Sequence, residues 1–217
     1  MAKSLKDNSL TIALMLMFAA SFVGQWLMGW HVENEDLQRH ALPTIGLISY
    51  FASPAFLSAL FENWESEFLQ MAVYVVLTAS LIQRGSSESR DPDAPTRDHL
   101  PSNDPDAPRF ARTGGLLGWL YAHSLGLTLS ALFIASFVLH WTFSARAAAE
   151  EAAIHGEAAK STLSYLGDPQ LWFESFQNWQ SEFLSTAALV VLSIFLRQKN
   201  SPESKPVAAP HSKTGAE

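Results

Sequence analysis

The chain alternates between long stretches without charge and short stretches dense in it. No charged residue occurs from Leu10 to Trp30, or from Gly114 to Ala145. A helix needs about 20 apolar residues to cross the hydrocarbon of a bilayer, so each stretch predicts a spanning helix. A further apolar segment follows each of two Asn-Trp pairs. The pattern therefore predicts four spans, at 9–30, 62–83, 116–143 and 177–196.

The same pattern is written twice. Residues 9–90 align without a gap on 124–205, with 30 identities in 82 positions. Ala20-Ser21-Phe22-Val23 falls on Ala135-Ser136-Phe137-Val138, and Phe61 to Leu69 falls on Phe176 to Leu184. Self-similarity at a fixed offset constrains architecture before any local reading does. The expected fold is an all-α membrane protein, its four transmembrane helices formed by two tandem two-helix repeats of parallel orientation. The first repeat covers 1–83 and the second 115–200. Between them, 84–114 carries Pro-Asp-Ala-Pro twice and no apolar period, and reads as a disordered cytoplasmic linker. The tail, 201–217, has the same character.

Composition alone points elsewhere. A net charge of -7 and a mean hydropathy of +0.07 suggest an acidic soluble domain, but the segregation of charge overrides the averages. The absence of cysteine removes disulfides, thiolate metal sites and thiol nucleophiles, and fits a bacterial plasma membrane. Lys3 and Lys6 before an apolar run also fit a signal peptide. The aligned run Leu125 to Trp141 lies mid-chain, which favours a duplicated span.

Lysine and arginine set the orientation. Eleven of the fourteen lie in the N-terminus, the linker or the tail. Both termini and the linker are therefore expected in the cytoplasm, and the two copies insert in the same direction. Ser53-Pro54 aligns with Asp168-Pro169, in each case a capping side chain before a proline at the first helical position. Gly85 aligns with Asn200, the two residues that best tolerate the left-handed conformation closing a helix. Helices over 54–84 and 169–199 are expected on that basis.

The shared motif Asn-Trp-x-Ser-Glu-Phe-Leu supplies the candidate polar or ion site. Asn63, Ser66, Glu67 and Gln70 fall on one helical face, as do Asn178, Ser181, Glu182 and Ser185. A carboxylate within the hydrocarbon is costly, so Glu67 and Glu182 are functional candidates by default. They also fit interhelical hydrogen bonds or a reach toward headgroup water. Trp26, Trp64, Trp141 and Trp179 read as interface anchors. His140, aligned with Gln25, reads as a hydrogen-bonding filler. His40 and His155 align but lack metal-ligand spacing, so neither metal nor other cofactor is expected. No phosphate loop, nucleophile elbow or zinc-protease motif is present, and the linker's basic residues alternate with aspartates, which argues against nucleic acid.

With Val75-Val76-Leu77, Gln83-Arg84-Gly85-Ser86 and Glu88-Ser89 following it, the motif resembles an uncharacterised family of small bacterial integral membrane proteins. The resemblance covers both copies and implies the membrane fold, but carries no activity. The expected role is non-enzymatic: a structural or accessory component of the membrane, with the bilayer and a membrane-protein partner or second copy as its contacts. The alternative is a small transporter or proton/cation pathway using Glu67 and Glu182.

Overall fold

The computed structural model describes residues 2–94 and 107–216, with side chains from residue 5. Among them the secondary structure is helical: α1 (Ala2–Asp7), α2 (Ser9–Arg39), α3 (Leu47–Phe51), α4 (Pro54–Thr78), α5 (Gly115–Ala122), α6 (Ser124–Ile154), α7 (Thr162–Tyr165) and α8 (Pro169–Phe195). A 3-10 turn at Arg109–Arg112 precedes α5. The major helices of the two halves start at aligned residues, Ser9 with Ser124 and Pro54 with Pro169. Two of the described helices, α2 and α6, are long and apolar enough to cross a membrane. At 1.5 Å per residue each runs about 46 Å. The helices α4 and α8 are more polar in their first halves, where the Asn-Trp motif and its carboxylates lie.

Both expected caps form. The Ser53 hydroxyl accepts from the Phe56 N–H, and the Asp168 carboxylate accepts from the Gln170 N–H. Each fills one of the unpaired donors at a helix start.

The far ends differ from expectation. The helices stop at Thr78 and Phe195, short of the expected 84 and 199. A competing turn is the reason. The Gln83 N–H goes to Ser89 Oγ at 3.0 Å, and the Gln198 N–H goes to Ser204 Oγ at 2.9 Å. Neither amide is left to continue a helical ladder. Gly85 and Asn200 do adopt the left-handed conformation, with φ of 86° and 68°, but inside these turns rather than at a helix end. A Cβ on Gly85 would sit 2.8 Å from the His211 carbonyl oxygen.

Packing is organised around α4. It runs antiparallel to α6, with Ser58 against Ser144, Phe61 against Phe143 and Val76 near Gly126. It runs parallel to α8, and in the register of the sequence offset: Gln70 donates to the hydroxyl of Ser185, its own aligned counterpart, at 3.1 Å. The loops before α4 and α8 close over two matching aromatic or aliphatic clusters. One joins Tyr50, Phe56 and Leu60 to Trp26 and Trp30; the other joins Tyr165, Leu171 and Ala145 to Trp141. Trp26 donates to the Leu47 carbonyl and Trp141 to the aligned Thr162 carbonyl. By contrast, the most apolar stretch of α2 contributes nothing buried to the bundle.

Residues 84–94 and 201–216, read from sequence as disordered, fold back on each other below α4 and α8. Lys205 is buried, and its ammonium donates to the carbonyls of Gly85, Ile194, His211 and Lys213. Gly215 N–H donates to the Ser86 carbonyl, and the Thr214 hydroxyl accepts from Gly85 N–H. Short polar segments of this kind bury little apolar surface. One ammonium, whose three N–H groups reach four carbonyls with one bond shared, supplies a polar anchor where hydrophobic burial is small. Residues 95–106, the middle of the expected linker, lie outside the described residues.

Candidate functional site

The helix pairings place four ionisable side chains from three helices at one level. Glu62 and Glu65 stand one turn apart on α4. His140 comes from α6, and Glu174 from α8. Antiparallel packing of α4 on α6 sets Glu65 opposite His140. Parallel packing of α4 on α8 brings the start of the second Asn-Trp motif to the same height.

His140 sits between two carboxylates. Its Nδ1 lies 2.7 Å from Glu65 Oε2, and its Nε2 lies 3.3 Å from Glu174 Oε2. Glu65 and His140 are 0% exposed, and Glu174 is partly so. Glu62, His140 and Glu174 each offer one ligand atom to a group in which all lie within 4.8 Å of one another.

Each carboxylate is held by a neutral N–H donor on its other oxygen. Trp179 Nε1 donates to Glu65 Oε1 at 2.9 Å, Asn178 Nδ2 to Glu62 Oε1 at 2.5 Å, and Gln170 Nε2 to Glu174 Oε1 at 2.9 Å. The Ser144 hydroxyl adds a contact to Glu174 Oε2 at 3.4 Å. Side chains pinned at one oxygen have their second oxygen oriented. Among the described residues no lysine or arginine ion-pairs with these carboxylates. Three carboxyl groups face one imidazole, an arrangement that is costly in a protein interior wherever more than one of them is ionised without a counter-charge.

The structure divides the residues expected from sequence. Asn178 joins the cluster through Glu62, and Trp179 joins it through Glu65, so this tryptophan spends its N–H inside the bundle. Ser66 is buried and donates to the Asn63 carbonyl. Asn63 and Ser181 are exposed, and among the described residues their side chains bond within their own helices. Glu67 is exposed and Glu182 half-buried. Gln70 bridges there, donating to the Glu182 carbonyl and to Ser185 and Thr186. Below it an open cleft is lined by Met71, Tyr74 and Leu189. Trp64 packs on the Tyr50–Phe56 cluster.

Glu62, Glu65 and Glu174 escaped the sequence reading, and His140 was read as a filler. Repeat identity selected what the copies share, whereas these four positions are where they differ. Glu62 aligns with Gln177, Glu65 with Gln180, His140 with Gln25 and Glu174 with Ala59. Three of the four exchange an ionisable group for a neutral amide. That coincidence was the available signal. The expectation of no metal site rests on the spacing of His40 and His155, and the group whose geometry could hold an ion is a different one, Glu62, His140 and Glu174, from residues far apart in sequence.

No match was found among curated proteins or among solved structures. The family described as a domain of unknown function, DUF6766, matches residues 1–216, and the chain belongs to that family.

Proposed function

We propose that this chain is a non-enzymatic integral membrane protein that binds a cation at the Glu62–Glu65–His140–Glu174 centre. The carrying observation is the fully buried His140 held between two carboxylates, with a third beside it and, among the described residues, no lysine or arginine paired to any of them. Ionisable groups inside membrane bundles mark ion and substrate sites. The cluster replaces Glu67 and Glu182 as the leading site because it is the more enclosed and the more tightly oriented.

In this reading the bundle has four spans in two parallel copies, with both termini on the cytoplasmic side of a bacterial plasma membrane. The in-register contact of Gln70 with Ser185 supports parallel copies, and the approach of the aligned His40 and His155 rings, 5.8 Å between centroids, supports it at the other end. The aligned caps of α4 and α8 support the second span of each copy. His140 lies six residues before Arg146, the first charged residue after the apolar run of α6, so the centre sits near the outer surface. That depth suits binding from outside better than conduction across the core.

Binding to the folded state raises its stability by mass action, by about 2.7 kcal/mol at a hundredfold excess over the dissociation constant. The test is thermal unfolding of the chelator-treated protein in detergent, with sodium, potassium, magnesium, calcium, manganese or zinc added in turn. At least one should raise the midpoint in the parent protein and not in Glu62→Gln. If none does, the cation-binding reading fails.

The accessory role is the second reading, and one observation favours it. The most apolar stretch of α2 has no buried residue, which leaves surface on it for another membrane protein.

A further inference from the structure

The geometry points to a single first-row divalent transition metal, of the zinc, manganese or iron(II) class, bound by Glu62, His140 and Glu174. This inference rests on the cation-binding reading and specifies its ligand.

The donor set selects the class. Two carboxylate oxygens and one imidazole nitrogen form a mixed hard and borderline set. Imidazole suits zinc, iron and nickel, whereas magnesium and calcium take oxygen ligands. Each ligand comes from a different helix, α4, α6 and α8, so the three approach the centre from different directions. Three protein ligands with a position left for water is the usual make-up of an open zinc site. Metal–ligand bonds of about 2.0–2.2 Å require the three atoms to draw closer than 4.8 Å. Rotation of the Glu62 and Glu174 side chains, both only partly buried, supplies that movement without shifting a helix.

The surroundings match the requirements of a metal-binding histidine. Such a histidine commonly donates its second ring N–H to a carboxylate, which fixes its tautomer and orientation. Glu65 is placed to accept that bond from Nδ1, and Trp179 in turn holds Glu65. When the Nδ1 proton is committed to Glu65, Nε2 is the ring nitrogen that faces Glu174 Oε2, at 3.3 Å. A second ring proton or a cation can join these two atoms, and a divalent cation that displaces the proton would gain three bonds, to Nε2, Glu174 and Glu62. Asn178 and Gln170 pin one oxygen of each ligand carboxylate and leave the other for the metal.

The experiment uses the full chain in detergent, treated with chelator, and titrated with zinc chloride by calorimetry. Cobalt(II) absorption gives a parallel spectroscopic readout. Helical circular dichroism and elution volume establish that every variant is folded. The expected result is one equivalent of zinc in the parent protein, lost in Glu62→Gln and in Glu174→Gln, with matching loss of the cobalt spectrum. Glu65→Gln should keep the stoichiometry but weaken affinity about 10–100-fold, as removal of an outer hydrogen-bond partner does. No stoichiometric zinc binding overturns the inference. So does zinc binding that survives Glu62→Gln and Glu174→Gln but is lost in His155→Gln, which would place the ion at the surface pair His40 and His155. If zinc fails while sodium, potassium, magnesium or calcium still raises the unfolding midpoint through Glu62, the metal inference falls and the wider reading stands. If no cation has any effect, both fall.

Discussion

Glu65 and His140 meet at 2.7 Å between α4 and α6, and neither side chain is exposed. The pair ties the first half of the chain to the second, and Trp179 extends the tie to α8. Removing one member of a buried pair strands the other, at a typical cost of about 3–5 kcal/mol. Glu65→Gln and His140→Gln should each lower the unfolding midpoint strongly. The double variant carries the two glutamines found at the aligned positions 180 and 25, and has no buried charge left to strand between these two residues. It should be less destabilised than the sum of the single variants, with a coupling of about 0.5–3 kcal/mol. Additive losses in thermal denaturation would show that the two side chains do not act as a unit.

Legibility in the sequence followed the same division. The helix starts could be read because aligned prolines and caps recur at one offset, and the structure realises each cap with a side-chain hydrogen bond. The helix ends were harder. Ser89 and Ser204 capture the Gln83 and Gln198 amides from six residues further on, and no local helix-stop rule weighs so distant a competitor. The site was harder still. Its acids lie at positions 62, 65 and 174, and two of the three lie within or beside the motif the copies share. They matter only because antiparallel packing on α6 delivers His140 to them. That pairing is a tertiary fact, visible in sequence only as glutamates and a histidine standing where the other copy has amides.

Asp168 supports a prediction about acid. Its carboxyl is held below the usual range, first by the hydrogen bond from the Lys160 ammonium and then by the Gln170 N–H. A carboxyl lowered in the folded state contributes stability above its ordinary value, about 3.9, and loses it as pH falls through the folded value. Asp168→Asn keeps the cap, since asparagine caps as well as aspartate, and removes only the charge. The parent should exceed this variant by less than about 1 kcal/mol at neutral pH, as for exposed ion pairs. The gap should close below a pH of about 4. Parallel melting curves across pH 3–7 would show that the charge contributes nothing.

Topology is tested by labelling. Ser212 lies in the tail and Ala158 in the loop after α6, and both are exposed. With both termini cytoplasmic, a cysteine at 158 should react with a membrane-impermeant thiol reagent in intact cells, and one at 212 only after permeabilisation. The parent chain has no cysteine to interfere. Equal labelling of the two sites in intact cells would overturn the orientation.

Lys205 carries the last prediction. Its ammonium donates to four backbone carbonyls, which belong to the turn after α4, the last turns of α8 and the tail itself. Burial pushes its own charged form to a lower pKa, so those four acceptors are what keep the charge tolerable there. Lys205→Met retains the aliphatic stem but removes this donor from four carbonyls; Ile194 keeps Arg197 as a partner, and the other three must then find water. The cheapest way to hydrate them is to peel the tail away from 84–89. Amide exchange should therefore rise sharply over 201–216 and over Gly85 to Ser89, while α4 and α6 keep their protection. Gly85 N–H is the most telling probe, because it is paired to the Thr214 hydroxyl and is released only if the tail departs. Unchanged exchange at Gly85 in Lys205→Met would show that apolar contacts, and not the ammonium, hold the tail in place.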